Sequence, residues 1–241
     1  MTAPRSTHEN PSLVGITVRR ASVTGRFFLL YGTGASIFFG VVLGASGGTA
    51  FSSSFPLVLP IFGVTGSMGA LVVFTNDRVK GVLEYLLAYG VSPRRLFASV
   101  LLATLTLTAI VLAFALGAGV GVYVARGHAI SPTLALTLGI YTVPMSFAAA
   151  AFAATVGIFW TTLSSPRAGM SSPVGMVPMI GILPPLATLG GILALAVSGL
   201  GSTTNILILM GAAIGLLTAV VVTLLAMTGR LLRRERLLSP A

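Results

Sequence analysis

Residues 27–76 form a run of 50 without one charged side chain, and residues 168–229 form another of 62. A soluble fold cannot close around such runs, because its outer shell needs polar and charged groups to face water. A bilayer-spanning helix, by contrast, needs about 20 mostly apolar residues. The polar piece Ala45–Ser54 (ASGGTAFSSS) divides the first run, and Ser198–Asn205 (SGLGSTTN) divides the second. Two more uncharged runs, 96–125 and 129–166, stand between them. The pattern predicts an all-α polytopic membrane protein with six transmembrane helices: near 27–45, 55–75, within 96–125, 133–163, 175–198 and 205–229. A tail and an interfacial helix (1–26) would precede this membrane domain (27–229), and a basic tail (230–241) would follow it.

Composition agrees. Apolar residues make up 55% of the chain and charged residues 7%, against about 25% charged in soluble domains, and the mean hydropathy is +1.02. A soluble enzyme or DNA-binding domain is excluded on these grounds. The net charge of +10 does not point to nucleic acid, because the basic residues flank the predicted spans. Arg5, Arg19, Arg20, Arg26, Arg78, Lys80, Arg94, Arg95, Arg167, Arg230, Arg233, Arg234 and Arg236 all fall on one side of the predicted topology, and only Arg126 falls on the other. The positive-inside rule makes that side, with both termini, cytoplasmic in a multi-pass plasma-membrane protein. Arg19-Arg20 before an apolar run also suits a signal peptide. The 19-residue run exceeds a typical h-region and further spans follow, which favours a first membrane anchor. The chain has no cysteine, so disulfides and thiolate chemistry are absent.

Helix-start chemistry marks several entries. Ser92-Pro93 and Ser131-Pro132 pair a capping hydroxyl with a proline at the first helical position. Pro56 and Pro60 fall in the expected first turns of span two. Pro178, Pro184 and Pro185 in span five predict a kinked or broken helix whose freed carbonyls need other partners. Gly40/Gly44, Gly117/Gly121 and Gly211/Gly215 are small-residue pairs at the spacing that lets helices approach closely.

Equally informative is what the spans omit. Asp, Glu, Lys and Arg are absent from every predicted span, although a charge at mid-bilayer is retained only where function requires it. Glu9, Asp77, Glu84 and Glu235 lie on the cytoplasmic side, and His8 and His128 lie in a tail and an outer loop. No metal site or acid–base cluster can be assembled from this set, and no Lys, His or Asp stands in a span to activate a serine. There is no GxxxxGK[ST] motif. The chain is expected to be no enzyme and to hold no cofactor, so any uphill transport would draw its energy from a partner.

The segment 74–99, FTNDRVKGVLEYLLAYGVSPRRLFAS, carries the clearest signal. Thr75, Asn76 and Asp77 offer capping oxygens. Val79, Val82, Leu83, Leu86 and Leu87 follow at helical spacing, opposite Lys80, Gly81, Glu84, Tyr85 and Ala88. An amphipathic helix over 77–90 is predicted, ended by Gly90 and followed by the Ser92 start of span three. Two occupants suit its polar side: a partner protein, or the lipid headgroups of the inner leaflet, with Arg94 and Arg95 on phosphates.

Gly81-Val82-Leu83-Glu84-Tyr85-Leu86-Leu87, followed by Gly90-Val91-Ser92, resembles the G-x-L-E-x-L-L and V-S elements around the coupling helix of ABC-2 type transporter permeases. The layout is similar too: a basic lead-in, six spans, and the loop SSPRAGMSSP before a proline-bearing fifth span. The resemblance implies the membrane-spanning subunit of an ABC exporter. Such a subunit pairs with a second permease subunit and two cytoplasmic ABC ATPase subunits, which hold the ATP and Mg. It implies a coupling role for residues 77–90, with Asp77, Arg78, Lys80, Glu84 and Tyr85 as polar contacts and Val79, Leu83 and Leu87 on the buried side. A substrate path would be lined by Thr65, Ser67, Met68, Tyr141 and Pro184. An uncharged path suits an apolar cargo. The C-terminal GRLLRRERLL reads as an anchor on anionic membrane lipids. The alternative is an ATP-independent channel or scaffold.

Overall fold

The computed structural model describes residues 13–163, 180–200 and 202–231, and every regular element among them is helical. In chain order these are α1 (Leu13–Thr24), α2 (Arg26–Ser46), α3 (Gly48–Gly63), α4 (Thr65–Val79), α5 (Val82–Ala88), α6 (Pro93–Ala125), α7 (Pro132–Thr137), a π-helical turn (Leu138–Thr142), α8 (Val143–Leu163), α9 (Leu183–Val197) and α10 (Thr203–Leu231). Five continuous helical stretches are long and apolar enough to cross a membrane: Arg26–Ser46, Gly48–Val79, Pro93–Ala125, Pro132–Trp160 and Thr204–Met227. The protein is therefore a multi-pass, all-helical membrane protein. The fifth expected span, 175–198, is represented by α9, whose 15 residues extend about 22 Å, short of a hydrocarbon core of about 30 Å. The loop SSPRAGMSSP and both tails lie outside the described residues.

Two sequence expectations are corrected. The polar piece 45–54 is not a loop, since α2 reaches Ser46 and α3 starts at Gly48. Ser52 and Ser53 turn their hydroxyls back onto carbonyls of Gly48 and Thr49, and Phe51 is fully buried beside Phe55 and Tyr123. Back-bonding satisfies the serine hydroxyls without adding to helix stability, and the buried aromatic anchor holds the helix through a polar composition. As a consequence Pro56 and Pro60 sit inside α3, not in its first turns. The lead-in to span one is helical and packed, with α1 lying against α4 and α6 and Ala21 buried between Val73 and Leu107.

Interior prolines and breaks free carbonyls that lipid cannot satisfy. Pro60 has no N–H, so the Pro56 carbonyl loses its helical donor. The Thr142 hydroxyl, in the π-helical turn, donates to it at 2.9 Å. Where α3 passes into α4 the Gly63 carbonyl receives the Thr108 hydroxyl at 3.0 Å. Span two is thus tied at its interruptions to the helices beside it. Thr142→Val keeps the shape but orphans the Pro56 carbonyl, and is expected to cost about 1–3 kcal/mol, read as a lower thermal midpoint in detergent. Thr142→Ser is expected to retain most of the stability.

The two predicted serine starts are as expected. Ser92 accepts from the Arg95 amide at 3.3 Å and Ser131 from the Leu134 amide at 3.2 Å.

Candidate functional site: the helix between spans two and three

The amphipathic segment is not one 14-residue helix. The helix of span two runs through Thr75, Asn76 and Asp77 without using them as caps and ends at Val79. Gly81 then adopts a left-handed conformation, φ +72°, from which α5 starts afresh at Val82. Only glycine enters that region without steric cost. Gly90, φ +85°, makes the second reversal, into the Ser92 start of α6. The segment is therefore a two-turn helix slung between two glycine joints.

Its apolar side is seated in the bundle. Leu83 and Leu87 are buried and join Phe74 of α4, Leu96 and Phe97 of α6 and Ile158 of α8 in one cluster. The same residues, with Pro93, line a small apolar pocket under α5. Burying each leucine stabilises the seat by about 1.5–3 kcal/mol. Any displacement of α5 must therefore press on three spans. Val79 departs from the expectation: it was placed on the buried side, yet it is 64% exposed. The break at Gly81 rotates the face of α5 relative to α4, which takes Val79 out of the stripe.

The outward side is polar and aromatic. Lys80, Glu84, Tyr85, Ala88 and Tyr89 are exposed. Tyr85 and Tyr89, four residues apart, bring their rings to 4.8 Å between centroids and their hydroxyls to 3.2 Å. That hydrogen bond raises the Tyr89 hydroxyl above the ordinary phenol pKa. Glu84 is the one exposed acidic residue among the described residues, at an end of the bundle that also exposes Arg19, Arg26, Lys80, Arg94 and Arg95.

Asp77 does not face outward. It is buried, and Arg20 of α1 grips it with a forked pair, Nη1 to Oδ2 at 2.7 Å and Nη2 to Oδ1. Arg78, beside it, is half-buried and engaged. The polar contacts expected of Asp77 are thus turned inward, and those expected of Lys80, Glu84 and Tyr85 remain open. Arg20 and Tyr89 are the residues that the sequence reading missed. The i, i+4 spacing of the two tyrosines could have signalled the second, whereas nothing local pairs residues 20 and 77.

The residues expected along a substrate path do not form one group. Thr65 donates to the Phe62 carbonyl and packs on Gly32 of α2. Ser67 is fully buried and donates to the Val64 carbonyl, while Met68 is half-buried. Tyr141, on the π-helical turn, is buried against Val64, Met145 and Ile192. Its hydroxyl makes no hydrogen bond of normal geometry among the described residues, with Thr188 of α9 nearby. Pro184 lies one turn earlier on α9, and its carbonyl takes the Thr188 hydroxyl at 2.8 Å. Tyr141 and the proline-bearing turn are therefore neighbours, whereas Thr65 and Ser67 spend their hydroxyls on carbonyls within span two, at the α3–α4 junction. Among the described residues no three His, Asp or Glu side chains gather to hold a metal.

No family model, curated protein or solved structure matches this chain.

Proposed function

We propose that the chain is the membrane-spanning subunit of an ATP-driven exporter of the ABC-2 permease type, with α5 as the element on which a separate ATPase pushes. In this reading the protein has six spans with α9 in the fifth, cytoplasmic termini, a plasma-membrane location, a second permease subunit and two ATPase subunits. The observation that carries it is the two-sidedness of α5. Leu83 and Leu87 fix one side into three spans, while Glu84, Tyr85 and Tyr89 present the other to the outside between two glycine joints. A loop that only rests on lipid needs no such seat. An exposed carboxylate in a basic surface also suits a protein contact better than anionic headgroups. An apolar cargo fits the uncharged spans.

Co-purification tests this. Glu84→Arg combined with Tyr85→Ala changes exposed side chains only. It is expected to weaken association with a nucleotide-hydrolysing partner from the native membrane by about 30-fold or more, the scale of one lost tyrosine anchor. ATP-dependent transport should fall with it, at unchanged abundance of the membrane protein. Intact association and transport would overturn the coupling role of α5, whereas a parent protein that brings down no nucleotide-hydrolysing partner would leave the ATP-independent channel or scaffold.

A further inference from the structure

We propose that Arg20 is a latch on the α4–α5 joint, which makes the N-terminal helix α1 part of the fixed frame from which α5 pivots. This does not rest on the ATPase reading. The Asp77 side chain is 8% exposed and stands four residues before the left-handed Gly81. A carboxylate at that depth needs a countercharge as well as donors for its lone pairs. Arg20 supplies both, and its fork fixes direction as well as distance in a way that a lysine cannot.

The rest of the α1 contact is narrow. Ala21 fits between Val73 and Leu107, and Gly25 lies so close to α4 that an added Cβ would stand 2.6 Å from the Gly69 Cα. Leu13 and Val18 reach the same apolar cluster that seats Leu83 and Leu87. On the other side, Ile16, Arg19 and Val23 are exposed. Hence α1 and α5 bear on one cluster from two elements, with the Gly81 joint between the Arg20–Asp77 pair and the α5 leucines. With the pair closed, the last turn of α4 is tied to α1, and α5 pivots from a fixed point. With the pair open, that point is lost and α1 keeps only its apolar packing on α4 and α6.

The absence of native cysteine makes the test clean. Spin labels at Val23→Cys and Ala88→Cys, both exposed positions, report the α1–α5 distance by double electron–electron resonance in phosphatidylcholine nanodiscs. The parent is expected to give one narrow distribution. Arg20→Gln should broaden it about twofold or more, as a single conformer becomes an ensemble. Arg20→Lys should fall between, and the exchange Arg20→Asp with Asp77→Arg should restore the narrow peak. Asp77→Asn, which keeps the side-chain shape, supplies the same reading should Arg20→Gln not accumulate. A distribution in Arg20→Gln or Asp77→Asn as narrow as the parent's would overturn the latch. So would an exchange variant no narrower than the single ones.

Discussion

Leu87→Asp is expected to remove the folded protein from the membrane, not merely to uncouple it. Leu87 is fully buried among Phe74, Leu96, Phe97 and Ile158, and none of these can hydrogen-bond or neutralise a carboxylate. The desolvation penalty for an unpaired buried charge is several kcal/mol, and the lost leucine packing adds about 2–5 kcal/mol. A typical domain has only about 5–15 kcal/mol in total. Leu87→Ala should lose about 2–5 kcal/mol, and Leu87→Met, which conserves volume, less than about 1.5 kcal/mol. Size-exclusion profiles of detergent extracts and thermal midpoints across the three variants measure the order. A soluble, monodisperse Leu87→Asp would mean that α5 is not seated as described. The consequence for function is practical: the role of α5 has to be tested through Glu84, Tyr85 and Tyr89, because its apolar side is also a keystone of the fold.

The membrane character of the chain was legible because lipid imposes one demand over some twenty residues at a time, so uncharged runs alone mark the spans. Span ends were less legible, because polarity was read as a break. At 48–54 the serines bond back to their own helix and Phe51 anchors it, and at 75–79 the capping-type residues continue a helix already under way. In both places tertiary contacts override local preference, and no composition-based rule carries that information. Pro60 was a stronger clue than its use suggested. An interior proline always frees a carbonyl four residues back, and the search for a donor leads to Thr142, 86 positions away from Pro56.

For the candidate site the periodicity of Leu83 and Leu87 was sound, since i, i+4 residues share a face wherever the helix begins. Val79 failed because the periodicity was carried across Gly81, and a left-handed residue resets the phase of everything after it. Asp77 was misread for a different reason. Exposed and paired carboxylates look alike in sequence, and its partner Arg20 was counted only among the topology-setting charges. The same arginine can serve both purposes, orienting the chain during insertion and then closing on Asp77.

The glycine pairs separate into two kinds, and this yields the second large effect. A Cβ on Gly66 would stand 2.4 Å from the Thr108 Oγ1 and 2.5 Å from the Thr108 backbone nitrogen. A hydroxyl can rotate away, but a backbone atom moves only with its helix. Gly66→Ala must therefore force α4 and α6 apart, at about 1–3 kcal/mol for overpacking. The separation also strains the Thr108 hydrogen bond to Gly63, worth a further 1–3 kcal/mol or so when a buried acceptor is left unmet. Alanine returns only about 1 kcal/mol of helix propensity. For a chain of this length the net loss lowers the midpoint by roughly 2–20 °C. Gly40 and Gly44 belong to the same kind, facing backbone atoms of Ala115 and Gly119. Gly117, Gly121, Gly211 and Gly215 have no neighbour among the described residues where a Cβ would go. Gly211→Ala with Gly215→Ala is therefore expected to leave the midpoint unchanged or raise it by a few degrees. A midpoint for Gly66→Ala equal to the parent's would contradict the close α4–α6 crossing. A large fall for the Gly211/Gly215 variant would instead show that a further segment, from this chain or a second one, packs on that face of α10 in the membrane.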